Sequence, residues 1–81
     1  MRHARDQDLD RVEDLLVQLR TLPGLTEKKR GVFYRKNRAF LHFHEDPKGM
    51  FADISDPDER IDVTDPAGQA RLMEAARQRL S

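Results

Sequence analysis

The residues whose chemistry stands out lie in one short segment, 40-FLHFHEDPKGMFADI-54, which contains His42, His44 and Asp53. Two histidines two positions apart on a β-strand point to the same side of the sheet. If the segment folds as a hairpin, Asp53 joins them from the neighbouring strand. Two imidazoles and a carboxylate suit zinc, iron or nickel, so His42, His44 and Asp53 are a candidate metal site.

The same residues permit two other interpretations. A carboxylate beside a histidine orients the ring and raises its pKa, as acid–base catalysis requires, so His42 and Asp53 form a candidate catalytic pair. Ser55 is expected on the same side, but no nucleophile-elbow pattern surrounds it. The remaining alternative is a purely structural contact between His42 and Asp53. The sequence leaves open whether the protein is an enzyme, and it indicates no cofactor beyond the candidate metal.

The length and composition of the chain restrict the kind of protein. Its 81 residues are enough for one domain, residues 1–81, with a small core. The chain has no cysteine, which excludes disulfides and thiolate metal sites. No apolar run reaches the length of a membrane span, and the first ten residues contain no apolar segment. We therefore expect a cytoplasmic protein without a membrane partner.

Periodicity predicts a helix at each end of the chain. The first helix has apolar residues three and four positions apart and ends at Pro23 and Gly24. These apolar residues are Leu9, Val12, Leu15, Leu16, Leu19 and Leu22. The second helix starts after Asp65, a suitable N-cap, with Pro66 at its first position. Its apolar face consists of Leu72, Met73, Ala76 and Leu80.

Between the helices, a linker with the sequence TEKKRG leads into strands predicted at 31–35, 38–45 and 50–55. Lys36-Asn37 and Asp46-Pro47-Lys48-Gly49 have the composition of tight turns. Whether residues 60–64 form a fourth strand is left open. The predicted fold class is α+β with two layers, in which an antiparallel meander of three or four strands packs both helices on one face, in the order α-β-β-β-(β)-α.

Strand alternation divides the side chains of this sheet between two faces. One face, expected under the helices, carries Val32, Tyr34, Ala39, Leu41, Phe43, Met50, Ala52 and Ile54. The opposite face carries Phe33, Arg35, Arg38, Phe40, His42, His44, Phe51, Asp53 and Ser55. Because a slip of one residue would exchange the two faces, this assignment depends on the strand register.

Three phenylalanines on an uncovered face indicate a partner or a ligand, since exposed patches of that size are unusual on monomers. The favoured interpretation is a non-enzymatic binding or self-associating domain, most simply a homodimer. Its binding face would consist of Phe33, Phe40, His42, His44, Phe51 and Asp53. The ligand, if it is a small molecule, is not indicated.

Charge is distributed unevenly although the net charge is zero. One segment is basic and contains Lys28, Lys29, Arg30, Arg35, Lys36 and Arg38, whereas the segment 45–65 is mostly acidic. Basic residues interleaved with Phe33 and Tyr34 are compatible with nucleic-acid binding. The zero net charge disfavours that function, since proteins that bind phosphates usually have a basic domain.

The sequence elements LPGL, GVFYRK, AFLHFHEDP and MFADI, within residues 22–54, resemble a luciferase-domain family of small bacterial proteins of unknown function. They resemble less closely the MmcQ/YjbR group, whose members have been suspected of DNA binding, through Leu22-Pro23-Gly24 and the aromatic strand around Phe40. The resemblance implies a two-layer α/β sandwich. It implies no catalytic residue and no light emission.

Overall fold

The computed structural model describes residues 1–81 without a gap and contains six strands and three α-helices. The elements are β1 (Arg2–His3), α1 (Asp6–Leu9), α2 (Glu13–Arg20), β2 (Thr26–Lys29), β3 (Val32–Arg35), β4 (Arg38–Asp46), β5 (Gly49–Ile54), β6 (Glu59–Asp62) and α3 (Pro66–Leu80). A short 3₁₀ helix, Asp10–Val12, joins α1 to α2. The predicted α+β class, with an antiparallel sheet and helices at both ends of the chain, is confirmed.

The six strands form one antiparallel sheet in the order β2-β3-β4-β5-β6, and β1 also pairs with β4. Along β4, residues 41–46 pair with β5, so β1 and β3 must share the opposite edge of β4. The β4–β5 register, with His42 opposite Asp53 and His44 opposite Phe51, is the one the sequence predicts.

Three strands go beyond those predicted from the sequence. The segment TEKKRG was expected to be a linker, which is wrong, because Thr26–Lys29 is β2 and pairs with β3. Strand β1 was not predicted from the sequence. The fourth strand, which the sequence left open at 60–64, exists as β6 and pairs with β5. These additional strands extend the predicted meander without changing its class.

The predicted turn and cap residues adopt the expected conformations. Lys36 and Asn37 both have positive φ, 52° and 66°, as a two-residue type I′ hairpin requires. At the start of α3, the carboxylate of Asp65 accepts a hydrogen bond from the backbone N–H of Gly68 at 2.9 Å. Pro66 opens the helix, where its missing N–H costs nothing.

One hydrophobic core joins the helices to the inner face of the sheet. The inner face consists of Phe33, Phe40, Leu41, Phe43, Met50, Ala52, Ile54 and Ile61. The helices contribute Leu9, Val12, Leu15, Leu16, Leu19, Leu72, Met73 and Ala76 to the same cluster. The predicted apolar stripes of both helices are therefore buried, apart from Leu22 and Leu80, which are partly buried against the core.

The predicted exposed face with three phenylalanines is wrong for Phe33 and Phe40, which are 1% and 2% exposed. The cause is a β-bulge. Phe33 pairs with Leu41 whereas Tyr34 pairs with Ala39, so Phe40 is an extra residue on β4. The bulge shifts the alternation at this point, and both phenylalanines join Leu41 in the core.

The same bulge also changes which residues lie on the face under the helices. Val32, Tyr34 and Ala39 were expected under the helices, but Val32 and Tyr34 are half-buried and Ala39 is exposed. The predicted inner positions on β5 are correct, since Met50, Ala52 and Ile54 are buried. We use the name outer face for the side of the sheet that carries Val32, Tyr34, Ala39, His42, His44, Phe51, Asp53 and Arg60.

Candidate metal-binding site

The candidate site lies at the centre of the outer face, on β4 and β5. Direct pairing of His42 with Asp53 brings these two side chains together, and His44 follows His42 on the same side of β4. The nitrogens and carboxylate oxygens that the three residues offer as ligands lie within 4.8 Å of one another. The structure thus brings together the three residues that the sequence identified as a candidate metal site.

Both histidines approach the same oxygen of Asp53. His44 Nε2 lies 2.9 Å from Asp53 Oδ2, and His42 Nε2 lies 3.5 Å from the same atom. The His44 side chain is 14% exposed and that of His42 is 39% exposed. The shorter and more buried contact belongs to His44, whereas the sequence analysis assigned the pair to His42 and Asp53.

Arg60 holds the carboxylate from the opposite side. Arg60 lies on β6 and pairs directly with Asp53 of β5, with its Nε 2.7 Å from Oδ1 and its Nη2 3.0 Å from Oδ2. This bidentate contact lowers the pKa of Asp53 below its ordinary value, against a smaller opposing effect of burial. Asp53 is therefore ionised and fixed in orientation at neutral pH. Arg60 was not identified from the sequence, because its position depends on the β5–β6 register.

His3 completes a cluster that contains every histidine of the chain. Strand β1 pairs His3 with His44. The His3 ring centroid lies 4.9 Å from that of His44 and 5.9 Å from that of His42, and the His42 and His44 centroids are 4.8 Å apart. His3 lies beside this group but is not one of the three residues whose ligand atoms converge. A two-residue strand has no alternation to detect, so the sequence gave no indication of this position.

The electrostatics of the cluster favour uncharged imidazole at His42. Burial lowers the pKa of His42 below its ordinary value, and the nearby His44 adds to this effect while Asp53 opposes it. Since Arg60 already compensates the charge of Asp53, a protonated His42 gains less from that carboxylate. At neutral pH, His42 therefore has a nitrogen lone pair available for a Lewis acid.

The spacing of the ligand atoms can be compared with a tetrahedral zinc centre. Bonds of about 2.0–2.1 Å place neighbouring ligand atoms about 3.3 Å apart in a tetrahedron. The two contacts to Asp53 Oδ2, 2.9 and 3.5 Å, bracket that spacing. The remaining spacing is at most 4.8 Å, so side-chain rotation must bring the donors closer before all three reach one ion. The donor set fits, and it leaves a fourth position open.

The basic residues proposed for nucleic acid do not form one surface. Arg30 contacts the carboxylates of Asp6, Asp10 and Glu13, and Lys28 lies over the Tyr34 ring, 4.7 Å from its centroid. Lys36 lies in the β3–β4 turn and lines a small depression together with Arg35, Arg38 and Asp56. Lys29 is exposed on the edge strand β2. Nucleic-acid binding stays a prediction, with its charges divided among several places.

Comparison with known proteins adds no relative. The chain matches no family model, no curated protein and no solved structure. The resemblance to the luciferase-domain family and to the MmcQ/YjbR group thus stays a prediction. None of the helices combines the length and apolar character needed to cross a membrane.

Proposed function

We propose that this domain binds one divalent transition-metal ion on the outer face of its sheet, through His42, His44 and Asp53. The observation that carries the proposal is the convergence of two imidazole nitrogens and one carboxylate within 4.8 Å. Zinc is the best-fitting ion, since it accepts nitrogen and oxygen ligands in a four-coordinate arrangement. Nickel and iron accept the same ligand types.

Arg60 orients one of the proposed ligands without being a ligand itself. Residues behind the metal ligands commonly fix ligand orientation and tune affinity. Arg60 hydrogen-bonds both oxygens of Asp53, so the carboxylate is held toward the histidines before any ion arrives. Preorganisation of this kind favours tight binding, because fewer side-chain rotations are lost when the ion binds.

Metal binding at this site exchanges protons for the ion. Each imidazole must offer an unprotonated nitrogen to the ion, so a proton on that nitrogen competes with metal binding. A bound ion replaces this proton, so binding releases protons and weakens as the pH falls. Zinc should accordingly bind more tightly at pH 7.5 than at pH 5.5.

The proposal is tested by calorimetric zinc titration of wild type, His44→Ala and His3→Ala. We expect His44→Ala to weaken zinc binding by more than about 100-fold, beyond the 10–100-fold effect usual for residues behind the ligands. His3→Ala removes the same ring from a residue outside the convergent set, and we expect less than about a tenfold change.

Two results would contradict metal binding. One is a wild-type protein whose His42 and His44 ring signals do not move in NMR spectra with excess zinc. The other is a His44→Ala variant that remains folded by circular dichroism and binds zinc as tightly as wild type.

A second proposal, self-association as a homodimer, rests on the uncovered outer face. Neither terminal helix packs there, and Phe51 is half-buried on it, although the burial of Phe33 and Phe40 makes its apolar area smaller than expected. Light scattering on metal-free protein tests this proposal. We expect a dimer at high micromolar concentration that Phe51→Glu dissociates and Val17→Glu, a matched change at an exposed helix position, leaves intact. A strict monomer at the highest concentration would rule it out.

A cytoplasmic location also stays a proposal. Its support is a polar chain in which charged residues make up 37%, together with the absence of cysteine. Microscopy of the tagged full chain in its own cells would test it, with an exported fraction as the opposing result.

A further inference from the structure

A cavity of about 330 Å³ lies beside the candidate metal site, where two strands meet end to end. Strands β1 and β3 share one edge of β4, with β3 paired at Leu41 and β1 paired at His44. Residues 42 and 43 of β4 lie between these two pairing positions. The backbone N–H of Ala4, just after β1, donates a hydrogen bond to the carbonyl of Phe43 at 3.1 Å. The gap between the end of β1 and the start of β3 opens into the cavity.

The bottom of the cavity is apolar. Leu9, Leu41 and Phe43 line it, and each of them is at most 3% exposed in the folded chain. The cavity therefore reaches the hydrophobic core through the gap in the sheet. Pockets for small molecules are typically about 300–1,000 Å³ and mostly apolar, so this cavity fits the small end of that range.

The polar groups around the cavity are nearly all hydrogen-bond donors or cations. They belong to His3, Lys29, Arg30, Tyr34 and His42. No aspartate or glutamate lines the cavity, although the chain has 15 acidic residues. Such a lining suits a ligand with acceptor oxygens and negative charge.

Two of these cations differ in their availability. Arg30 is already engaged by the carboxylates of Asp6, Asp10 and Glu13. Lys29 forms no ion pair and lies on the exposed edge strand β2. Lys29 is therefore the cation that remains free to hold an anionic head group, and the imidazoles of His3 and His42 line the same cavity.

We infer that this cavity binds a small organic carboxylate, with an apolar body against Leu9, Leu41 and Phe43 and its head group near Lys29, His3 and His42. Since a water molecule takes about 30 Å³ of liquid volume, the cavity has room for about ten non-hydrogen atoms. Only His42 is shared with the candidate metal site, and carboxylate binding does not require an ion there.

The inference is tested on metal-free protein by two-dimensional NMR titration with benzoate, benzyl alcohol and benzylamine. The three probes have the same ring and differ in the charge of the head group. We expect benzoate to shift the amides of Ala4, Val32 and Phe43, and to bind at least about tenfold more tightly than benzyl alcohol, because charge-assisted hydrogen bonds are the stronger ones. Benzylamine should bind most weakly.

Two variants separate the apolar part from the charged part. Ala39 lines the cavity from an exposed strand position, so Ala39→Leu should fill it and weaken benzoate binding at least about tenfold. Ala70→Leu, the same change at an exposed position of α3, should leave binding unchanged. Lys29→Met keeps a side chain of similar length and removes its charge. It should therefore remove most of the preference for benzoate over benzyl alcohol.

Three outcomes would overturn the inference. They are benzoate without effect on the amides around the cavity, benzylamine binding as tightly as benzoate, and Ala39→Leu binding benzoate like wild type. Zinc titration of Ala39→Leu keeps the two proposals apart. Unchanged zinc affinity with lost benzoate binding supports both, whereas benzoate binding without zinc binding in wild type contradicts the metal site alone.

Discussion

At the scale of single residues, the lowered pKa of His42 makes stability depend on pH in a defined direction. Burial is the main cause of the lowered pKa, so the unfolded chain binds this proton more readily than the folded one. Stability from this group is fully present above the ordinary histidine pKa, near 6.5, and decreases as the pH falls from there toward the lower folded-state value. We expect the urea concentration at the unfolding midpoint of metal-free protein to be lower at pH 5 than at pH 7.5.

The matched control for this prediction is His42→Asn, which cannot take up a proton. Asp53 and Glu13 also have lowered pKa values, but carboxylates of that kind lose their contribution only below about pH 4.5, outside the chosen range. The variant should therefore show a smaller decrease over the same range. An equal decrease in both proteins would assign the effect to another group.

The residues of the candidate site could be predicted only in part. His42, His44 and Asp53 were identified because the turn composition at 46–49 sets the β4–β5 register, and that register fixes which side chains share a face. His3 and Arg60 reach the cluster through strand pairings that no local pattern specifies. Local chemistry thus identified the ligands but not the groups that surround them.

At the scale of elements, the bulge in β4 determines which phenylalanines stabilise the fold. Phe40 is 2% exposed in the core, whereas Phe51 is half-buried on the outer face. We expect Phe40→Ala to reduce the free energy of unfolding by about 3–5 kcal/mol, as for other buried aromatic truncations. Phe51→Ala should cost about 1–2 kcal/mol, because less of its ring is removed from water. Urea denaturation of both variants measures the difference, and equal costs would mean that the β3–β4 register is incorrect.

The element boundaries show why the phenylalanines were misassigned. Alternation predicts faces only along a regular ladder, and one extra residue shifts the pattern on one side of it. Nothing in the composition around Phe40 indicates a bulge. Strand β2 was missed for a related reason, since Thr26–Lys29 is polar and two of its residues are lysines, which are typical of edge strands as well as of loops.

At the scale of the whole molecule, the uneven charge of the sequence becomes a difference between the two ends of the sheet. Strand β2, with Lys28 and Lys29, lies at one end of the strand order, and β6, with Glu59 and Asp62, lies at the other. Charged side chains on the two edges discourage uncontrolled strand pairing between molecules. Part of the charge pattern that suggested nucleic acid thus lies on the two edges of the sheet.

The outer face of the molecule is less easily explained by stability alone. The fold gathers all three histidines of the chain into one cluster, two of them against the carboxylate of Asp53, which Arg60 already holds through two hydrogen bonds. Partly burying His42 disfavours its charged form, so the cluster gives up stability at acidic pH that other side chains would keep. Local departures from what stability favours are expected at functional sites. The adjoining cavity interrupts the sheet edge at the same histidines, so both departures fall on one region of the molecule, and function is best sought there.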